Sequence, residues 1–443
     1  MNRHQIATAA VAIFVGITSL HADDWAQWNG PTSDGVVADK DILTVIPEDG
    51  LKKLWSAPVS LGFSGPAISN GKVYVTDYEM TSGKITNDPG RRDKLTGFER
   101  VHCFDGTTGK KIWSHKYDRP YAVSYPGGPR VVPTIHDGLV YTIGAEGTLV
   151  CLDAETGKPQ WQHDYAKEYQ ATTPIWGHSA SPLIEGSNLI CMVGGPGSLV
   201  VAFDLKTGKE QWKALSADDT GYCPVSIIEH AGVRQMLVWS PTTVYSLNPE
   251  TRKIYWQQTL KPGYGMSILP PMKDGNKLFV TGESSTCAMY ELTSNPPNAK
   301  LLWKGTPRNS VYLATSSAIF EDGHMYGADI RSGAFVCATA EDGTRLWQTT
   351  EPTSGKKGKK APNHTSAFIL KIDQRYLLFA DNGDMISATI TPEGYKETGR
   401  FQAIEPTEEI YGRTLVWTYP AVANKKLYLR NDKEVVCYDL SPQ

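Results

Sequence analysis

One phrase keeps returning along this chain. Residues 103–116 read CFDGTTGKKIWSHK, residues 151–164 read CLDAETGKPQWQHD, and residues 202–215 read AFDLKTGKEQWKAL. Looser copies follow: SLNPETRKIYW at 246–256, YELTSNPPNAKLLW at 290–303, CATAEDGTRLW at 337–347, and SATITPEGYKETGRF at 387–401, with Phe401 in the tryptophan slot. From Trp113 the steps to 161, 212, 256, 303, 347 and 401 are 48, 51, 44, 47, 44 and 54 residues. Such a chain builds one supersecondary unit many times, and no unit of that size buries its apolar face alone.

Each unit parses into four short apolar, β-branched runs separated by Gly, Asn, Asp or Pro. In the third unit these are ASPLIEG, NLICMVGG, SLVVAFD and KEQWKAL. The Asp-x-x-Thr-Gly stretch reads as a tight turn between the third and fourth strands, with Asp bonding its own backbone and Gly free to take φ > 0. The Trp that follows is large enough to fill the gap between neighbouring units. Second strands can be counted at 73, 139, 188, 235, 277, 324, 375 and 426, which makes eight. The last unit reaches VVCYDL at 435–440 and stops without its Trp strand, while LKKLWSAPV stands unclaimed at 51–59. The expected fold is all-β: an eight-bladed β-propeller of four-stranded antiparallel blades, closed by residues 51–59 in the last blade. The repeat tryptophans are then Trp55, Trp113, Trp161, Trp212, Trp256, Trp303 and Trp347.

The ends and the composition bound the rest. MNRHQIATAAVAIFVGITSLHA has the charged start, apolar middle and small-residue cleavage site of a secretory signal. Residues 1–22 are therefore expected to be removed, 23–50 to form an N-terminal extension, and 51–443 the propeller. The expected location is the periplasm or the cell exterior of a bacterium, with no membrane anchor after cleavage. A formal charge of −3 offers no basic field for nucleic acid. Of the seven cysteines, Cys103, Cys151, Cys337 and Cys437 fall where Ala202 stands in another copy, so buried free thiols are expected.

The phrase at 151–161 and 202–212 closely resembles the tryptophan-docking motif of the pyrroloquinoline quinone (PQQ)-like repeat, and the resemblance spans about residues 51–440. It implies an eight-bladed propeller and two branches of activity. One branch contains quinoprotein alcohol and sugar dehydrogenases, which bind PQQ with calcium. The other contains scaffolds such as the outer-membrane assembly subunit of the β-barrel machinery, which hold no cofactor. DWAQWNGPTSDGV at 24–36 resembles the opening of a third group of exported PQQ-like proteins. Many of the dehydrogenases set a vicinal Cys-Cys disulfide against the quinone and hold calcium with Glu, Asn and Asp. This chain has no adjacent cysteines, and no segment onto which those ligands carry over. No metal ligand is assigned.

A site is expected on the face opposite the Asp-x-x-Thr-Gly turns, where loops lead into each first strand. Aligning those strands on Pro66, Pro133, Pro182, Pro224, Pro271, Ser317, Ser366 and Pro420 places Arg130, Trp176, His178, Tyr222, Tyr264, Tyr312, Asn363, His364 and Trp417 just upstream. Together they would wall a central funnel, although tyrosine and tryptophan at strand starts also serve as plain packing. Aromatic faces with Arg and His suit a sugar, a quinone or an anionic small molecule. The leading expectation is a monomeric binding or scaffolding propeller, taking a small molecule, a carbohydrate or a protein at its top face. A PQQ/calcium dehydrogenase is the alternative. A lyase-like carbohydrate enzyme is the third, with Tyr222, Tyr264, Tyr312, His178 or His364 moving the proton. Two long connections, 78–98 and the lysine-bearing 351–363, flank the same face.

Overall fold

Strand pairing follows the repeat. The computed structural model describes residues 24–355, 358 and 361–442; the expected signal at 1–22 and the four lysines of the 351–363 connection lie outside the described residues. Among the described residues eight antiparallel blade sheets are formed: six of four strands in sequence order, one in the same order with a fifth strand added, and one of four strands whose order is broken by the chain ends. The third blade is typical, with strands Leu183–Glu185, Asn188–Met192, Val200–Asp204 and Glu210–Ala214 running from the axis outward. In the eighth, Ala421–Ala423, Lys426–Arg430 and Glu434–Asp439 are completed by Lys53–Pro58, with Trp55 opposite Cys437. That pairing repeats Trp113 opposite Cys103 and Trp161 opposite Cys151, so the borrowed strand sits in the common register. The fold is an eight-bladed β-propeller with its ring closed by both ends of the chain.

What joins one blade to the next is the tryptophan edge. The indole N–H groups of Trp55, Trp113, Trp161, Trp303 and Trp347 donate to carbonyls of Gly106, Ala154, Leu205, Ala340 and Thr391, each in the following blade, at 2.9–3.1 Å. The ring lies against the glycine of that blade's turn. A Cβ on Gly157 would stand 2.5 Å from Trp113, and one on Gly208 2.6 Å from Trp161. These glycines have φ near +70°, so the turn and the docked ring select the same residue. Asp153 holds the turn by accepting from the Thr156 N–H at 2.8 Å and its hydroxyl at 2.7 Å.

Three joints depart from the rule. Arg252 stands in the glycine slot of the fourth blade at φ +60°, and its guanidinium lies 5.5 Å from the Trp212 ring. The fifth blade has no such turn, and Trp256 donates instead to Gln235 Oε1 in its own blade at 2.8 Å. In the seventh blade Phe401 takes the docking slot against Tyr438 and the backbone of Gly50.

The seam between blades 8 and 1 is pinned by buried charge. Arg430, with no exposed surface, donates to the carbonyls of Ser60, Thr76 and Asn431 at 2.6–3.0 Å. Gly62 leaves it room, since a Cβ there would lie 2.2 Å from the guanidinium. Asp77 accepts both Arg100 nitrogens at 2.7 Å and the Ser60 N–H at 2.7 Å. Burial pushes its carboxyl up, but His102 at 3.1 Å and the Arg100 bonds outweigh that and hold it far below the usual range. All seven cysteines are buried free thiols.

Residues 24–37 enter the axis from the turn face. Asp24 caps the Ser69–Asn70 turn, Trp25 forms a β-bridge with Ile68, and Val36 forms one with Lys371. Trp25 is 2% exposed. The 78–98 connection, expected as an enlarged loop, is for the most part an extension of the hairpin Lys72–Gly83/Asp93–Asp105, backed by Tyr121–Val123. A further hairpin, Glu408–Ile410/Arg413–Leu415, stands between blades 7 and 8.

His178 packs inside the protein, 4% exposed, edge-on to Tyr165 at 5.4 Å. Burial, reinforced by Arg119, pushes its pKa from 6.5 down to about 4. The fold holds it neutral, so its contribution is complete above pH 6.5 and is lost as pH falls toward 4. Between pH 7 and pH 5 this residue should remove about 2 kcal/mol of unfolding free energy. A His178→Gln variant should show a correspondingly flatter pH profile in urea denaturation. The docking rule has its own test. Gly157→Ala should cost about 1–3 kcal/mol more than Gly186→Ala, because Gly186 has φ +58° but open space around it. Equal shifts in the two melting curves would refute the role given to the ring contact.

Candidate functional site

Two cavities share the axis, and Trp28 lines both. The strand-1-to-2 turns and the Asp-x-x-Thr-Gly turns occupy one face, as the Ala154 N–H to Gly138 carbonyl bond requires. The lower cavity, ≈ 610 Å³, opens among them. The upper cavity, ≈ 910 Å³, lies among the loops that lead into the first strands.

Of the nine residues expected around a funnel, Arg130, Trp176, Tyr222, Tyr264, His364 and Trp417 line the upper cavity. The other three stand elsewhere. His178 is turned toward Tyr165 as described. Tyr312 is fully buried in the core between blades 5 and 6, and its hydroxyl donates to the Thr306 carbonyl at 2.5 Å. Asn363 is exposed and not part of the lining. Position before a first strand sets height along the axis, but the local chain direction decides whether a side chain faces inward or into the seam.

Tyr125, Tyr411, Tyr419, Phe63, Trp28 and Glu283 also line this cavity and were not expected. Tyr411 sits at the tip of the inserted hairpin with φ +54°, and its ring stacks on His364 at 4.9 Å and 21°. Edge contacts run from Tyr411 to Tyr125 and to Trp417, each at 6.3 Å, and Trp176 leans on Tyr222 at 5.7 Å. Aromatic faces thus surround most of the opening. Only the EEIYGRTL alternation around Tyr411 hinted at a hairpin there.

Charge is sparse. Arg130 spends both terminal nitrogens on the Gly128, Ser124 and Tyr125 carbonyls at 2.5–3.1 Å and covers the Phe63 ring at 5.0 Å. It braces the 124–130 loop and is not aimed at a ligand. His364 is held below its ordinary pKa by burial, with Glu283 opposing and Arg413 adding to the shift. Arg413 itself pairs with Asp381 at 2.8 Å. Four buried polar atoms of lining residues lack hydrogen-bond partners among the described residues: the Tyr125 hydroxyl, the Trp176 and Trp417 indole nitrogens and Glu283 Oε2.

These side chains do not fit a calcium-bound quinone. Glu283 is the cavity's single carboxylate, and no group of three His, Cys, Asp or Glu able to hold a metal occurs among the described residues. The cysteines are dispersed through buried strands and loops, with none available as a vicinal pair. Of the five residues offered for a lyase's proton transfer, Tyr222, Tyr264 and His364 line the cavity, while Tyr312 and His178 face away and Arg130 is engaged by carbonyls.

A comparison with solved structures finds the same architecture at low identity. The europium-containing methanol dehydrogenase aligns over 92% of this chain and 89% of its own, with a TM-score of 0.60 and 14% identity. Quinohemoprotein alcohol dehydrogenase from Comamonas testosteroni aligns over 95% and 81%, at 0.59 and 12%. BamB from Moraxella catarrhalis aligns over 89% and 98%, at 0.53 and 14%. Among curated proteins, quinoprotein alcohol dehydrogenase PedH from Pseudomonas putida is 30% identical over 137 residues, a match covering 29% of this chain and 22% of that enzyme's length. No helix among the described residues is long and apolar enough to cross a membrane. A family model described as outer membrane protein assembly factor BamB matches residues 38–226 and 240–442, so the chain belongs to that PQQ-repeat family.

Proposed function

We propose that this is an exported binding propeller whose upper axial cavity takes a neutral carbohydrate. The observation that carries the reading is the ring of aromatic faces around a space of ≈ 910 Å³ in which a single carboxylate is found. Sugar rings present C–H faces that pack on indole and phenol planes, while a charged ligand loses solvation there without a partner of opposite sign. The unpartnered Trp176 N–H and Glu283 Oε2, both buried just beneath the lining, are a donor and an acceptor that ligand hydroxyls would meet once a neighbouring side chain shifts. Export is supported by the signal-like residues 1–22 and by membership of a family described by an outer-membrane assembly role.

A second reading, a scaffold for a protein partner on the same rim, is favoured by Tyr264. This side chain is 81% exposed on a backbone held at φ +56°, and Tyr411, which lines the same cavity, is 48% exposed. Large exposed rings of this kind mark contact surfaces.

Three of the cavity's walls are tryptophans, so binding can be read from fluorescence. Titrating the full chain with cellohexaose, maltohexaose and chitohexaose should give a saturable change with at least one of them. Trp176→Ala should weaken that binding at least tenfold, consistent with about 1.4 kcal/mol or more for a lost stacking face. Adding PQQ and calcium should leave no quinone absorbance on the desalted protein and no dye-linked oxidation of alcohols or sugars. Silence with all three oligosaccharides, or binding indifferent to Trp176→Ala, overturns the carbohydrate reading in favour of the scaffold.

A further inference from the structure

The lower cavity has no part in that function, and its walls are of two kinds. One side is the chain's own segment 25–37. The other is built from the innermost strands of blades 3 to 6: Leu183–Glu185, Ser226–His230, Met272–Asp274 and Ala318–Glu321.

In a two-residue hairpin, the residue just before the closing pair turns its N–H and C=O away from the partner strand. In blades 1, 2 and 7 that residue is Ile68, Ile135 and Lys371, next to the closing pairs Ser69–Lys72, His136–Leu139 and Ile372–Arg375. The N-terminal segment uses all three. Trp25 and Ile68 exchange both backbone bonds at 2.9 Å, the Ile135 N–H donates to the Ala26 carbonyl at 2.8 Å, and Lys371 bonds the Gly35 carbonyl and the Val37 N–H at 2.9 Å. In blades 3, 5 and 6 the matching residues are Ile184, Lys273 and Phe320. They line the lower cavity, and among the described residues they make no backbone hydrogen bond outside their own blade.

We infer that the lower cavity is a docking site for an extended segment of a partner polypeptide, which adds to the inner edges of blades 3, 5 and 6 as residues 25–37 add to those of blades 1, 2 and 7. The surface is continuous with that existing interface. It offers unpaired backbone N–H and C=O groups of strand edges, the groups to which an extended peptide backbone adds. Between the edges Ile227, Leu269, Met272 and Ile319 alternate with polar neighbours such as Ser226 and Ser317, so the bound segment carries apolar side chains at alternate positions. The Glu321–Lys371 ion pair, with the Tyr376 hydroxyl on Glu321 at 2.8 Å, closes the seam between the free and the occupied edges.

The test is an immobilised array of varied octapeptides probed with the full chain, followed by solution titration of the best binder. The bound peptide should alternate apolar residues. N-methylation of its backbone should abolish binding at alternate positions and be tolerated at those between. Met272→Arg and Ile184→Arg should each weaken it at least tenfold, while Trp176→Ala in the upper cavity should leave it within twofold. If the arginine variants do not fold, the N-methyl series decides alone. The inference is overturned if no octapeptide binds, if N-methylation is tolerated everywhere, or if Trp176→Ala removes the binding.

Discussion

A tryptophan ring laid on the bare backbone of a glycine turn is the contact from which the remaining architecture follows. Each such ring belongs to the outer strand of one blade and rests on the third-to-fourth-strand turn of the next, and its N–H ends on a carbonyl there. A contact of fixed geometry between successive units fixes the angle between them, and a fixed angle repeated eight times closes a ring. The substitutions at this joint are instructive. Arg252 keeps the left-handed turn and meets the ring with a flat cation, while the fifth blade turns its tryptophan partner inward to Gln235. The joint tolerates a change of chemistry because the ring area it buries, and not the hydrogen bond alone, supplies most of the cohesion.

Closure leaves the axis as the one place where eight strand edges face each other. The protein fills part of it with its own N-terminal segment, whose Trp28 divides the axis into an aromatic upper chamber and a lower one edged by backbone. The two ends of the axis are therefore chemically unlike, although the blades that surround them are copies of one unit. Above, non-repeating loops contribute rings. Below, the repeat itself shows its unpaired edges.

The ring was legible in the sequence because its information is periodic. Eight second strands and one missing Trp strand set the blade number and the closure at Trp55 opposite Cys437. The upper cavity was legible in part for the same reason, since Trp176, Tyr222 and Trp417 stand at equivalent heights before their strands. Residues outside the repeat could not be placed by alignment. Trp28 lies in an extension with no register, and Tyr411 lies on an inserted hairpin that no other blade possesses. Arg130 was found at the right height, but its use could not be read, because carbonyls of residues 124–128 absorb its nitrogens only once that loop has turned back on itself.

The eighth blade also governs the order of assembly. Ser56 and Glu434, joined across it, are separated by 378 positions in the chain, and contacts of such long range form slowly and late. A ribosome delivers the first partner long before the second. Until Glu434–Asp439 meets Lys53–Pro58, the toroid is an open arc with an unsatisfied edge at each tip, so the ring closes only when its most distant segments pair.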